Sequence, residues 1–156
     1  MKFVYYEYDD GGRAAAGFKG TTGDCVTRAI AIATGRPYQQ VYDDLHQALA
    51  DYAGSHRDRT ARRISRGGGR RGTTPRNGIA RKVWDPYVRA LGWRWTPTMR
   101  IGSGCRVHLT AEELPAGRLL VRVSKHLVAV IDGVVHDTYD PARGGSRCVY
   151  GYYSRY

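Results

Sequence analysis

Apolar residues recur along the chain with two spacings, and the change from one to the other divides it. Val41, Leu45, Ala48, Leu49 and Tyr52 recur at i, i+4, i+7, i+8 and i+11, one face of a helix that starts at Pro37. Upstream, residues 25–34 (CVTRAIAIAT) predict a helix closed by Gly35, with Thr22 or Asp24 as its N-cap. Residues 78–91 carry a further helical pattern that Pro86 is expected to break or restart and Gly92 to end. Strands are predicted at 2–8, 93–99, 105–109, 118–123, 126–131, 134–139 and 148–153. Thr110 to Glu113 reads as a capping box for one short helical turn, stopped by Pro115. Asp132-Gly133, between two alternating apolar runs, signals a two-residue hairpin turn. Helices near the front and an antiparallel sheet behind them give an α+β fold, expected as a single domain over residues 1–156.

Composition narrows the setting. At 42% hydrophobic and 25% charged residues, the chain reads as globular rather than disordered. No apolar run reaches the ~18 to 20 residues of a membrane span, so no membrane partner is expected. The start, MKFVYYEYDD, turns acidic where a signal peptide would be apolar, which points to a cytoplasmic protein. Three cysteines without a CxxC motif predict reduced thiols rather than a disulfide framework. The net charge of +11 is concentrated: residues 55–82 hold nine arginines and Lys82 against Asp58 alone, hence +9. This Gly-rich stretch lacks aromatic residues and predicts a flexible basic insertion at about 55–77. Arg57, Arg59, Arg62, Arg63, Arg66, Arg70, Arg71 and Arg76 are its candidate contacts to nucleic acid or an acidic protein partner. With no ring to stack on bases, it promises affinity without sequence readout. The Tyr-rich ends (Tyr5, Tyr6, Tyr8; Tyr150, Tyr152, Tyr153) read as terminal strands and core, with a partner surface as second choice.

The candidate chemistry begins at Cys25, which a glycine-rich loop delivers to a helix start. Unpaired N–H groups and the helix dipole there favour a thiolate, and the same groups could stabilise an oxyanion. The plainer alternative is a small packed residue, and Asp24 beside it would oppose ionisation unless turned aside. His126 opens a strand whose neighbours follow from the turn: with Ile131 opposite Val134, His126 faces Tyr139 and Val128 faces Asp137. Asp137 is then the diagonal neighbour of His126, able to fix its tautomer and stabilise its imidazolium, while His136 projects the other way. A bulge before Pro141 would bring in Asp140 instead. Cys105 and His108, with His136 and Cys148, form a weaker zinc-like set, for which core packing of the two cysteines is the favoured reading. No metal or cofactor is expected.

Cys25, His126 and Asp137, in that order on a helix start and two strands, resemble the papain-like cysteine hydrolase superfamily. The likeness covers residues 21–53 and 117–141. It implies an N-terminal helix carrying the cysteine, packed on an antiparallel sheet, and a thiol hydrolase acting on a peptide or protein substrate. In bacteriocin-leader peptidases of that superfamily the second strand ends in Asp-Pro, which matches Asp140-Pro141; in its cell-wall peptidases the third residue falls near Asp137. The signature CGSCW is absent, and Lys19 stands where the oxyanion glutamine is expected. Thr21, Thr22 or the Cys25 backbone N–H are the substitutes. Transglutaminases and arylamine acetyltransferases share the Cys-His-Asp order, so transferase chemistry and a form that has lost activity stay open. Over GDCVTRAIAIATG, LGWRWTPTM, IGSGC and HLVAVIDGVVHDTYDP the chain is similar to a family of small actinobacteriophage and prophage proteins. That likeness implies a virion or infected-host setting, with a phage or host protein as partner. The rival reading is a non-catalytic protein of the same fold that binds through its arginines.

Overall fold

The computed structural model describes residues 5–19 and 23–155. It shows a mixed α+β fold with four helices among the described residues and a six-stranded sheet. The elements run β1 (Tyr5–Tyr8), α1 (Cys25–Thr34), α2 (Tyr38–Ser55), α3 (Arg59–Arg66), α4 (Arg81–Ala90), β2 (Trp93–Pro97), β3 (Arg118–Val123), β4 (His126–Ile131), β5 (Val134–Asp137) and β6 (Val149–Arg155). In the sheet they lie in the order β1-β5-β4-β3-β6-β2. The sheet is mixed, not antiparallel throughout as expected, because β1 joins β5 in parallel while the other pairs are antiparallel.

The two central strands explain the long apolar runs. Leu120, Leu127 and Ala129 face a core shared with α1, α2 and α4. Leu119, Val121, Val123, Val128 and Val130 face a second core closed by Leu109, Leu114, Ala142 and Val149. A sheet covered on both faces needs no polar side, so β3 and β4 read as nearly continuous hydrophobic segments. Helix α1 is buried on almost every side, and its alanines allow it close to the sheet. Gly35 ends it in the left-handed conformation at φ 73°, and the Arg118 side chain donates to the last-turn carbonyls of Ile32 and Ala33 at 3.0 and 3.4 Å. Val41, Leu45, Leu49 and Tyr52 form the buried stripe of α2, matching the predicted face.

Five expectations are corrected. Pro86 lies inside α4, whose buried Val83, Trp84 and Val88 hold the helix together across it. The strand expected at 105–109 shrinks to an isolated bridge between His108 and Cys148, and the capping-box segment forms a turn in which Thr110 donates to Glu113 at 3.0 Å. The segment 55–77 is not a structureless loop: Asp58 caps α3 by accepting from the Ala61 N–H at 2.8 Å, and Ala61 is buried. Beyond α3 the Thr27 hydroxyl donates to the Pro75 carbonyl at 2.8 Å, fastening the segment to α1. Finally, Cys105 and Cys148 are neither reduced nor core residues; they form a disulfide with Cα atoms 5.7 Å apart, leaving Cys25 as the free cysteine. No described helix is long and apolar enough to cross a membrane.

The tyrosines divide. Tyr153 is fully buried against Trp84 and Trp95, whereas Tyr5, Tyr6 and Tyr8 are exposed on the edge strand β1.

Candidate active site

The turn arithmetic holds in the sheet: Ile131 pairs with Val134, Val130 with Val135 and Ala129 with His136. Pairing stops there, and His126 and Asp137 meet just beyond its end. His126 Nε2 lies 2.6 Å from Asp137 Oδ2, with both side chains all but excluded from solvent at 6% and 4% exposure. The Thr138 N–H donates to the other Asp137 oxygen at 2.7 Å, and Tyr139 places its hydroxyl 3.4 Å from His126 Nδ1. His136 points away and meets Asp9 at 3.2 Å.

Cys25 is the first residue of α1, half-buried, and lines the same cleft as His126, whose imidazole is the main influence favouring its thiolate. Since Nε2 is committed to Asp137, Nδ1 is the ring nitrogen left for sulfur. Burial opposes ionisation of Cys25. The hydrogen bond and charge of His126, the Leu127 backbone N–H and the Arg28 guanidinium outweigh it and hold the thiol below its ordinary range. For His126, burial disfavours the imidazolium, but hydrogen bonds to Asp137 and Cys25 raise its pKa to about 9. Both shifts run in the direction that favours a thiolate–imidazolium pair over the two neutral groups.

Behind the pair lies a charge network that no motif announced. Arg28, one turn into α1, is buried; it bonds Asp24 and reaches Asp137 Oδ1 at 3.2 Å. Asp24 does not cap the helix with its side chain. Its carboxylate turns to Arg28, to the Tyr38 hydroxyl at 2.6 Å and to Arg13 Nε at 3.3 Å. The negative charge beside Cys25 is thereby neutralised. The i, i+4 spacing of Asp24 and Arg28 was the available signal.

The other candidates disperse. Asp140 is exposed and accepts from the Ala142 N–H at 2.9 Å, so it shapes the turn after β5 instead of contacting His126; that alternative is corrected. Thr21 and Thr22 lie outside the described residues. Cys25, Val26 and Thr27 precede the first intrahelical bond, from the Arg28 N–H to the Asp24 carbonyl at 3.0 Å, so the Cys25 N–H stays a candidate oxyanion donor. The zinc-like set is not assembled: His108 meets Glu113 at 3.2 Å, and the two cysteines pair with each other.

A cleft of about 710 Å³ opens onto Cys25 and His126. Arg63 and Arg71 of the basic segment line it. Arg62 bonds the Arg57 carbonyl at 2.7 Å and Arg76 the Lys19 carbonyl at 2.5 Å; Arg57, Arg59, Arg66 and Arg70 are exposed. No family model, curated protein or solved structure matches the chain.

Proposed function

We propose that the chain is a papain-like thiol hydrolase, a peptidase, isopeptidase or amidase, in which Cys25 attacks, His126 moves the proton and Asp137 holds the imidazole. The observation that carries the reading is the buried His126–Asp137 pair at 2.6 Å beside Cys25, at a helix start where Cys25 and His126 line one open cleft. A packed structural cysteine has no need of a buried imidazole and carboxylate aligned behind it. The likeness of fold, a Cys-bearing helix on a sheet that supplies the histidine and aspartate, supports the same reading.

In the reaction the Cys25 sulfur bonds the carbonyl carbon while the carbonyl electron pair moves to oxygen, near the Cys25 N–H. Collapse expels the amine, which takes the proton from His126 Nδ1, and leaves a thioester. A water then gives its proton to His126 and attacks the thioester carbon, so the acid is released and the thiolate restored. Asp137 keeps the charged ring oriented in both halves. The Cys105–Cys148 disulfide favours the virion over the cytoplasm as the setting, because cytosolic thiol pools keep such pairs reduced.

The test is cleavage of a mixed peptide library followed by mass spectrometry. Defined products that vanish with Cys25→Ala, in a variant of unchanged circular dichroism, support the reading. Cleavage that persists in the variant overturns it.

A further inference from the structure

The basic segment and the Cys25 cleft are separate features of the sequence but parts of one surface in the fold. Arg63 and Arg71 line the same cleft as Arg81, Arg122 and Lys125, and no Asp or Glu lies among its described lining residues. Arg63, Arg71, Arg122 and Lys125 form no ion pair among the described residues. Unpaired cations in one concavity focus a positive potential beside the thiol.

One part of the cleft is built more firmly than the rest. Arg81 lays its guanidinium 4.2 Å from the Trp95 ring centre and donates from Nε to the Tyr153 hydroxyl at 3.0 Å, with Asp85 3.9 Å away. Arg122 is half-buried, 5.8 Å from the same ring and 5.9 Å from that of Tyr150. Burial, then the like charge of Arg81, press the Arg122 pKa downward, and the opposing pull of Tyr153, Tyr150 and Asp85 does not cancel them. Gly151 is what admits the indole: a Cβ there would sit 2.4 Å from Trp95 Cη2. The middle of a strand thus gives up a side chain to seat the ring on which both guanidiniums rest.

We propose that this cleft binds an acidic polypeptide, seating a carboxylate between Arg81 and Arg122; that the bound chain is then cut at Cys25 rests on the hydrolase reading above. Guanidinium groups fixed on an aromatic platform match the planar, bidentate demand of a carboxylate. A nucleic-acid strand is less well served. Single strands are held by successive bases stacked on open rings, and here the Trp95 and Tyr150 faces are taken by arginines and by Tyr153, which leaves Tyr139 as the one exposed ring among the described lining residues.

The probe is a fluorescein-labelled decapeptide of alternating Glu and Ala, titrated by anisotropy into full-length Cys25→Ala protein, with a ten-nucleotide thymidine strand as competitor. Saturable binding is expected, weakened at least tenfold by Arg81→Gln/Arg122→Gln and by Arg63→Gln/Arg71→Gln, with the oligonucleotide a poor competitor. The second pair is exposed, so it reports even where the first disturbs folding. Unchanged affinity in both double variants overturns the proposal. So does an oligonucleotide that displaces the peptide and depends on the same arginines, which makes the cleft a nucleic-acid site. Because Cys25→Ala binds without turnover, peptide binding that survives alongside an unreactive wild-type Cys25 supports the site and removes only the hydrolase reading.

Discussion

Removing His126 should reverse the direction in which the fold pushes the Cys25 titration. In the native site burial works against the thiolate and is outweighed chiefly by the hydrogen bond and charge of His126, then by the Leu127 N–H and Arg28. His126→Ala takes away the first two of these aids and leaves burial facing the weaker pair, so the thiol should titrate at or above an ordinary cysteine. At pH 6.5 an ordinary thiol, with a pKa of ~8.5, is about 1% thiolate. Each unit by which the native site lies lower multiplies the thiolate roughly tenfold but weakens it as a nucleophile about threefold, a net gain of about threefold per unit. Alkylation by iodoacetamide at pH 6.5 should therefore be slower in His126→Ala, by about threefold for each unit that the native thiol lies lower, with the gap closing above pH 9 as the native imidazolium, whose pKa is about 9, also titrates. The assay is quenched time points and mass spectrometry of the Cys25 peptide, without reductant so that the Cys105–Cys148 disulfide stays closed. Circular dichroism checks that the variant is folded. A wild-type profile with its midpoint near 8.5, or one superimposable on that of His126→Ala, would refute the reasoning.

Four further outcomes are expected. Asp137→Asn should lower both peptide cleavage and Cys25 alkylation at pH 6.5, cleavage by about 10² or more, while Asp140→Asn leaves both within twofold; the opposite pattern reassigns the third member. Arg28→Met leaves Asp24 and Asp137 as buried carboxylates without their shared cation and should cost about 3–5 kcal/mol in urea unfolding. A loss below about 1 kcal/mol there would mean that the network contributes little. Cys105→Ser/Cys148→Ser opens a loop with a sequence separation of 43 and should lower stability, by about 4 kcal/mol on chain entropy alone; an unreduced wild-type protein that takes up iodoacetamide at all three cysteines would contradict the pairing. Gly151→Ala places a methyl group 2.4 Å from Trp95 and 2.7 Å from the Thr96 carbonyl, and should cost about 1–3 kcal/mol with a shift in tryptophan emission.

What could be read in advance follows the range of the interactions involved. The Asp132-Gly133 turn sets a register by local geometry, and counting from it brought Asp137 to His126 across the hairpin. Amphipathic spacing likewise marked α2, whose stripe needs no knowledge of its partner. The parallel docking of β1 on β5 joins segments more than a hundred residues apart, and nothing in YYEY announces it. Helix α3 was hidden for another reason. RTARRISR offers only Ala61 and Ile64 to a core, yet arginine is a good helix former, and Asp58 binds the helix start to Tyr52 of α2 and to Lys82 at 3.2 Å. The Cys105–Cys148 pairing was equally out of reach, since spacing alone does not fix connectivity.

Asp24 shows how a contact between distant elements overturns a local argument. By sequence position alone its carboxylate opposes an ionised Cys25, and that reasoning is sound for an unpaired charge. Arg28 changes the sign because it lies between Asp24 and Asp137, so the anion next to the nucleophile and the anion behind the imidazole share one buried cation. With Arg13 also against Asp24, these two arginines balance the two carboxylates before Cys25 or His126 is counted. Moving a proton from sulfur to imidazole then leaves the net charge of the buried set unchanged. It replaces two neutral groups with an ion pair whose halves each find an opposite charge, His126 for Cys25 and Asp137 for His126. The same accounting explains why the loss of Arg28 should be felt in two readouts, stability and Cys25 reactivity, whereas an exposed arginine of α3 such as Arg59 should move neither.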